Sequence, residues 1–337
     1  TARSRGLGDV YKRQHIIGGI MKKFIFIIAS AITFLTISFS ANALKVGALY
    51  LDTAGFFGEI KYGIEKAGEE EGIELTGANS QSDVAREAEF IDTLLATGVD
   101  VVIMSPVSTE SSVAAVERLA EAGVPVVCYN TCLNDEDAKR LAYALVTTSQ
   151  RELGYPVGII AGNWAIKAGI DLKIGIHNCN RYEACQERED GFIDGLKSTG
   201  VNFEVVNNQE AFSNDVATQV GTDMLIANPE INLMYAANEG GTIGAVNAVL
   251  AAGQIGKTYV MGTDATAELM NFVSDGEILL AVNSQFPRDM GAGAMRAALK
   301  AVKGEAIDEY VQLTPTKVFT SIDKIAIDTW LSERGYD

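Results

Sequence analysis

Short apolar runs rich in valine, isoleucine and leucine alternate along the chain with longer stretches in which apolar residues recur every three or four positions. The first pattern predicts β-strands and the second predicts amphipathic helices. The runs lack strict apolar–polar alternation, as expected of parallel strands that helices cover on both faces. The predicted strands are KVGALYL (45–51), IELTGAN (73–79), VDVVIMSP (99–106), VPVVCYN (124–130), LAYALVT (141–147), KIGIHN (173–178), FEVVNN (203–208), NLMYAAN (232–238), TYVMGTD (258–264) and LLAVNSQ (279–285).

These strand–helix units fall into two blocks, separated by a long helix predicted around residues 150–168. Repeated strand–helix units predict an α/β fold with parallel sheets and right-handed crossovers. A (β/α)8 barrel is the alternative, but the chain has more predicted strands than the eight of such a barrel. We therefore expect two similar α/β domains.

The first 43 residues predict a leader that does not belong to the fold. Residues 1–20 precede Met21 and show no apolar periodicity, so we interpret them as upstream read-through or a cloning remnant. Residues 21–43 combine two lysines, an apolar stretch and a small-residue site ending at Ala43, which predicts a cleaved secretory signal peptide. Because the apolar stretch is shorter than the ~20 residues of a membrane-spanning helix, we expect an exported protein without an anchor.

The net charge and the cysteines narrow the classes of partner. An acidic chain of net charge −17 repels phosphate backbones, so we do not expect nucleic acid to bind. Cys128, Cys132, Cys179 and Cys185 form two close pairs in the sequence, and an exported protein can carry disulfides in any of three connectivities. A zinc site is the weaker alternative, because the spacings C-x3-C and C-x5-C are not common in zinc fingers.

Polar residues follow successive predicted strands at their carboxyl ends: Asn130, Asn178, Asn238, Asp264 and Gln285. Ligands of open parallel sheets bind beyond these ends. Amides both donate and accept hydrogen bonds, so this set predicts a pocket for a neutral, hydroxyl-rich ligand. Each residue has an alternative role as the N-cap of the helix that follows.

An ordered set of motifs carries a resemblance to a known family. The chain resembles the periplasmic sugar-binding proteins of ABC transporters, of the ribose- and galactose-binding type, over residues 44–337. The motifs are GFFGEIKYGIEKAGEEEG, VVIMSPVSTES, GVPVVCYN, CQEREDGFIDGL, AANEGGTIGAVNAVLAAG, VMGTDATAE and AVNSQFPRDMGAGAMRAALK.

The resemblance implies two Rossmann-like lobes with parallel sheets, joined by a three-stranded hinge and closing on the ligand, the type I arrangement of this family. Crossovers are expected near 147–148, 285–286 and 311–316. The N-terminal lobe would then comprise 44–147 plus 286–313, and the C-terminal lobe 148–285 plus 314–337. The resemblance further implies a periplasmic monomer without a cofactor or metal.

The same resemblance implies the ligand-binding residues. Aromatic rings of Phe56, Phe57 and Phe212 would enclose the apolar face of a sugar, because a ring face attracts C–H groups. Polar side chains at five further positions would bind hydroxyl groups of the sugar, and the carboxylate of Asp264 would form the stronger, charge-assisted hydrogen bonds. These positions are Asn130, Gln186, Asn238, Asp264 and Gln285.

Two departures from the family pattern bear on the ligand. Ribose-type members carry Asp-Arg where this chain has Tyr129-Asn130, and an arginine at the position aligned with Gln186. Both arginines that clamp the sugar are therefore expected to be absent, with Arg181 as a substitute for one of them. We expect a different sugar, a sugar alcohol or another polyol, and not ribose.

The resemblance also bears on the cysteines. Each close pair would bracket the rim of one lobe, and a bond between lobes would oppose opening of the cleft. Pairing within each lobe, Cys128 with Cys132 and Cys179 with Cys185, or free thiols, are therefore the two expected states.

Catalysis and DNA binding find little support. The stretch NEGGTIG is not the dinucleotide motif G-x-G-x-x-G, and G-x-S-x-G does not occur. His177 stands alone beyond the leader, so no acid–base constellation is evident. A DNA-binding repressor would need an N-terminal helix-turn-helix where the signal peptide is predicted. The expected function is delivery of a captured solute to an ABC transporter permease; presentation of the closed form to a chemoreceptor or sensor kinase is the alternative.

Overall fold

The computed structural model describes residues 44–336, so the predicted read-through segment and signal peptide lie outside the described residues. All ten predicted strands are present, and two further strands follow them. The strands are β1 (Lys45–Tyr50), β2 (Glu74–Asn79), β3 (Val101–Met104), β4 (Val126–Tyr129), β5 (Ala142–Thr148), β6 (Leu172–Asn178), β7 (Phe203–Glu210), β8 (Leu233–Ala236), β9 (Tyr259–Thr263), β10 (Leu279–Ser284), β11 (Val311–Thr314) and β12 (Lys317–Thr320).

Helices connect the strands in the alternation that the sequence predicts, and the long helix expected around 150–168 begins and ends within a residue of that range. Among residues 44–336, no helix combines the length and apolarity that a membrane crossing requires. The helices are α1 (Gly55–Glu70), α2 (Val84–Thr97), α3 (Val113–Glu121), α4 (Asp135–Leu141), α5 (Gln150–Ala168), α6 (Glu183–Thr199), α7 (Asn214–Ala227), α8 (Glu239–Ala251), α9 (Ala267–Asp275), α10 (Pro287–Val302) and α11 (Lys324–Ser332).

The strands form two six-stranded sheets. The first has the order β11-β5-β4-β3-β1-β2, and the second has the order β12-β10-β9-β8-β6-β7. Every pairing is parallel except that of β10 with β12. We call each sheet with the helices packed on it a lobe: α1 to α4 and α10 pack in the first lobe, and the other helices in the second. The predicted two-lobe α/β fold is confirmed.

The chain passes between the lobes three times, after β5, after β10 and between β11 and β12. Hydrogen bonds of Thr148 tie these crossovers together. Its hydroxyl oxygen lies 2.7 Å from that of Thr314 and donates to the backbone oxygen of Gln285 at 3.4 Å. The three crossovers therefore lie side by side, as a hinge requires. The exact lobe boundaries stay a prediction.

Glycines bring two helices of the second lobe unusually close. A Cβ atom added to Gly154 of α5 would lie 1.8 Å from the backbone oxygen of Arg188 in α6. At Gly158 it would lie 2.1 Å from the backbone oxygen of Phe192. The first lobe uses the same arrangement, since a Cβ at Gly63 of α1 would meet the backbone of α10. The position of α6 and of its side chains therefore depends on these glycines of α5, which let the two helix backbones approach closely.

Each lobe contains one of the two disulfides. Cys128 of β4 is joined to Cys132, and Cys179 is joined to Cys185 of α6, with Cα atoms 5.4 Å apart in both pairs. Both bonds lie near the carboxyl end of a strand, the first at the end of β4 and the second directly after β6. Within the described range, no group of three or more histidine, cysteine or acidic residues is arranged to hold a metal ion.

His177 of β6 is fully buried and gives stability a dependence on pH. Its Nδ1 lies 3.1 Å from the backbone oxygen of Gly241 and donates to it in the neutral tautomer. Burial lowers the pKa of His177 to about 4. Below pH ~6.5 the unfolded chain binds a proton that the folded chain does not, so stability falls until the folded pKa is reached.

Between pH 7 and pH 4 this difference in proton binding lowers the free energy of unfolding by about 3 kcal/mol. In His177→Asn, whose amide can still donate to Gly241, we expect that part of the loss to vanish. Urea denaturation of both proteins across this range measures it, since the carboxylates that also titrate are common to both. Parallel stability profiles for the two proteins would refute the assignment.

Candidate functional site

A cavity of about 390 Å3 lies between the lobes at the carboxyl ends of the strands. Phe56, at the start of α1, lines it from the first lobe, while Asp264 and Glu239 line it from the second. Gln285 lines it from the crossover that follows β10. The cavity volume is within the usual range for small-molecule sites.

Asp264 is the centre of a buried polar cluster. It follows β9 with a positive φ of 65°, a conformation that aspartate tolerates better than most residues. Its Oδ2 accepts a hydrogen bond from Nη1 of Arg188 at 2.9 Å, and its Oδ1 accepts from Nε2 of Gln285 at 2.5 Å. Arg188 and Gln285 are 7% and 3% exposed, so an ion pair with little access to water fixes the carboxylate.

Further bonds fix the position of Arg188. Its Nη1 also donates to the backbone oxygen of Ala237 at 2.9 Å, and its Nε donates to Oε1 of Gln150 at 2.9 Å. These bonds connect α6 to the ends of β8 and β9 and to the start of α5. The guanidinium is therefore held in one orientation at the strand ends.

The expected absence of both sugar-clamping arginines stays a prediction, but the structure does place one arginine, Arg188, at these strand ends. Gln186, the residue aligned with the family arginine, is exposed, and its amide donates to the backbone oxygen of Asn180 at 2.8 Å. The sequence signal that could have identified Arg188 is its position in the helical repeat. Arg188 lies three residues after the buried Cys185 and four before the buried Phe192, whereas Gln186 faces away from that side.

Asn238 caps a helix. Its Oδ1 accepts from the backbone N–H of Gly241 at 3.2 Å, at the start of α8, and its Nδ2 donates to the backbone oxygen of Phe212 at 2.7 Å. Of the two roles left open by the sequence, capping is the one that the structure displays. The same amide fixes the backbone at Phe212. The Phe212 residue is 42% exposed, and its ring centroid lies 5.2 Å from that of Tyr182.

Asn130 and Asn178 are tied to their own turns. Asn130 has φ 60°, its N–H donates to Val146 at 2.9 Å, and its carbonyl accepts from the hydroxyl of Thr147 at 2.8 Å. Asn178 accepts from the N–H of Asn180 at 3.2 Å. In the part of the chain that the structure describes, the cavity lining includes Phe56, Asp264 and Gln285 but not Phe57, Asn130, Gln186, Phe212 or Asn238.

A second charged group, which includes the lining residues Glu59 and Arg334, links the lobes. Glu59 of α1 accepts from Nε of Arg288 at 2.5 Å and lies 3.4 Å from Nε of Arg334, which follows α11. Arg334 also lies over the ring of Trp330, 4.0 Å from its centroid, and burial lowers the pKa of its guanidinium. Since Glu59 belongs to the first lobe and Arg334 to the second, this pair contacts across the cleft.

A comparison of the sequence with known protein families agrees with the two-lobe fold. The family model described as "Periplasmic binding protein domain" matches residues 48–306. The chain belongs to this family. Its members are binding proteins, and the confirmed two-lobe fold is that of the family.

Individual relatives extend over most of the chain. The "ABC transporter periplasmic-binding protein YphF" of Escherichia coli K12 is 34% identical over 283 residues, which cover 83% of this chain and 86% of that protein. The "Ribose import binding protein RbsB" of the same strain is 28% identical over 292 residues, covering 85% and 95%. An ABC transporter periplasmic solute binding protein from Actinobacillus succinogenes 130z, solved with bound D-allose, superposes with a TM-score of 0.75 at 23% identity, covering 85% and 100%.

Proposed function

We propose that this chain captures a sugar or sugar alcohol in the cavity between its lobes and delivers it to the permease of an ABC transporter. The observation that carries the proposal is the opposition of Phe56 in one lobe to the Arg188–Asp264–Gln285 cluster of the other across one cavity. The relatives named above support it, because their names describe import binding proteins and a transporter-associated binding protein.

Both sides of the cavity suit a sugar or polyol. An aromatic ring packs against C–H groups through its negative face, and a carboxylate accepts charge-assisted bonds from hydroxyls. Arg188 and Gln285 hold the carboxylate of Asp264 in place before any ligand arrives. A fixed acceptor loses little side-chain entropy on binding, which favours affinity.

Delivery follows from a shift between open and closed forms. A solute that contacts Phe56 and Asp264 at once stabilises only the form in which the two lobes are close. The three crossovers joined through Thr148 supply the hinge, and we propose the boundaries 44–147 plus 286–313 and 148–285 plus 314–337 for the lobes. A permease that recognises the closed form would then distinguish loaded from empty protein.

The proposed function also concerns the compartment and the oligomeric state of the protein. We propose that the chain works in the periplasm as a monomer, after removal of residues 1–43, and has no catalytic role. The predicted signal peptide and the family support export. The buried His177 and the ion-paired Asp264 have structural partners, which leaves neither as an acid–base group.

Thermal denaturation of residues 44–337 with a panel of pentoses, hexoses, sugar alcohols, nucleosides and amino acids tests the proposal. A ligand at 100 times its Kd adds roughly 2.7 kcal/mol of stability, which raises the midpoint visibly. Stabilisation by a sugar or polyol supports the proposal. A response only to nucleosides or amino acids, or to nothing in the panel, would overturn it.

Phe56→Ala is expected to raise the Kd of the solute identified in this way by about tenfold to a hundredfold, because the packed aromatic face is lost. Calorimetric titration measures the change. The neighbouring ring supplies the comparison: Phe57 contacts Phe56 edge-on at 5.4 Å but does not line the cavity, so Phe57→Ala should have the smaller effect. Equal effects would show that the cavity lining does not identify the stacking ring.

A further inference from the structure

Three side chains that line the cavity carry a buried polar atom without a hydrogen-bond partner among residues 44–336: the acceptor Oε1 of Gln285 and the donors Nε1 of Trp330 and Nε of Arg334. The two donors lie near Glu59, whose carboxylate is 3.4 Å from Nε of Arg334. Both carboxylate oxygens of Asp264 already accept bonds, from Arg188 and from Gln285. Gln285 uses its amide nitrogen for that bond, and its buried Oε1 has no hydrogen-bond partner among residues 44–336. Burying such an acceptor is costly unless a donor reaches it. A donor on a bound molecule would satisfy Oε1 of Gln285.

Glu239 adds an unpaired charge to the same cavity. Its side chain lines the cavity at the first residue of α8 and, within the described residues, forms no ion pair or hydrogen bond. The other charged lining residues are paired: Asp264 with Arg188, and Glu59 with Arg334. Burial and then the neighbouring carboxylates of Asp264 and Glu268 raise the pKa of Glu239.

A role at the helix start does not account for this placement. Acidic residues in the first turn of a helix already gain about 0.3–1 kcal/mol from the helix dipole at exposed positions, so a gain of this kind does not require burial. Glu268 has the corresponding first-turn position in α9, but it is exposed and does not line the cavity. Partial burial of Glu239 beside a second carboxylate costs energy that a bound cation or donor would offset.

We propose that the preferred solute carries a protonated amino group, as in an amino sugar or an aminated polyol, and that this group binds against Glu239 and Oε1 of Gln285. The inference rests on the proposed function and specifies its ligand. An ammonium group offers three donors and no acceptor, which matches the two unpaired acceptors Glu239 and Oε1 of Gln285. A hydroxyl offers one donor and two lone pairs, and it carries no charge to balance Glu239.

Matched pairs of compounds test the proposal by calorimetry at neutral pH. The pairs are D-glucose and D-glucosamine, D-galactose and D-galactosamine, D-mannose and D-mannosamine, and myo-inositol and a monoaminated inositol. In at least one pair we expect the amine to bind at least tenfold more tightly than its neutral partner. In Glu239→Gln the ratio of the two affinities should fall by at least tenfold.

Glu268→Gln is the matched control, since it removes the same charge from a first-turn position outside the cavity. Its affinity ratio should equal that of the unchanged protein. Neutral members that bind as tightly as the amines, or tighter, would overturn the inference and leave the proposed function standing. A preference for amines that survives Glu239→Gln would overturn the role of Glu239. Failure of every compound here, together with failure of the wider sugar and polyol panel, would overturn both proposals.

Discussion

Asp264→Ala is expected to lower the free energy of unfolding by about 3–5 kcal/mol and to abolish measurable solute binding. Arg188 would remain buried with its main counter-ion gone, and an uncompensated buried charge costs energy of this order. Gln285 would lose the acceptor of its amide at the same time. The carboxylate proposed to accept from the solute would be missing, and each charge-assisted bond is worth about 1.5–3 kcal/mol.

Stability and binding can be separated with a second substitution. If the stranded charge of Arg188 causes the instability, Arg188→Met in the Asp264→Ala background should recover part of the lost stability while binding stays absent. Urea denaturation and calorimetric titration measure the two quantities. A double variant that is less stable than Asp264→Ala would show that the stranded charge is not the cause.

An exposed ion pair provides the control for Asp264→Ala. Asp194 of α6 contacts Arg151 of α5, with the two side chains 37% and 50% exposed. Exposed pairs contribute about 0–1 kcal/mol, so Asp194→Ala should change stability by no more than that. A loss as large as that of Asp264→Ala would mean that contact between α5 and α6, and not burial of the charge, governs both results.

Much of the fold could be predicted from the sequence because its strands are buried apolar runs. Strands β3, β4 and β8 are buried at every position, so apolarity identifies them directly. The four-residue strands β11 and β12 were missed as strands. They lie at the sheet edges, and every residue of β11 is at least partly exposed, so neither has the buried apolar run that identifies the other strands. The sequence predicted only a crossover there.

The site could be predicted where the strand-end rule applies and not where helices contribute. Asp264 and Gln285 stand at strand ends and do line the cavity. Arg188 was missed because it lies on α6, where only the buried face of a helix shows which residue points to the cluster. Glu239 falls outside the strand-end rule as well, because it is the first residue of α8 and follows the strand-end residue Asn238. Asn238 looked like a ligand-binding residue because its capping partners are backbone groups, which leave no distinct mark in a sequence.

Gly154→Ala is expected to lower the free energy of unfolding by about 3 kcal/mol, because the added methyl group would overlap the backbone of α6. The Cβ would lie 1.8 Å from the backbone oxygen of Arg188 and 2.7 Å from the backbone nitrogen of Phe192. Backbone atoms cannot rotate away as the end of a side chain can, so α6 must move. That movement would carry Arg188 away from Asp264 and weaken solute binding together with stability.

Gly68→Ala in α1 separates this contact from the general effect of alanine in a helix. Its Cβ would lie 3.1 Å from the terminal methyl of Met295, a flexible group that can shift, and 3.8 Å from Cβ of Ile73, an ordinary van der Waals contact. Alanine favours a helix over glycine by roughly 0.5–1 kcal/mol, so Gly68→Ala should leave stability unchanged or slightly raised. Urea denaturation compares the two variants. If Gly154→Ala proved as stable as Gly68→Ala and bound solute equally well, α5 and α6 could separate at no cost, and their close approach would not set the position of Arg188.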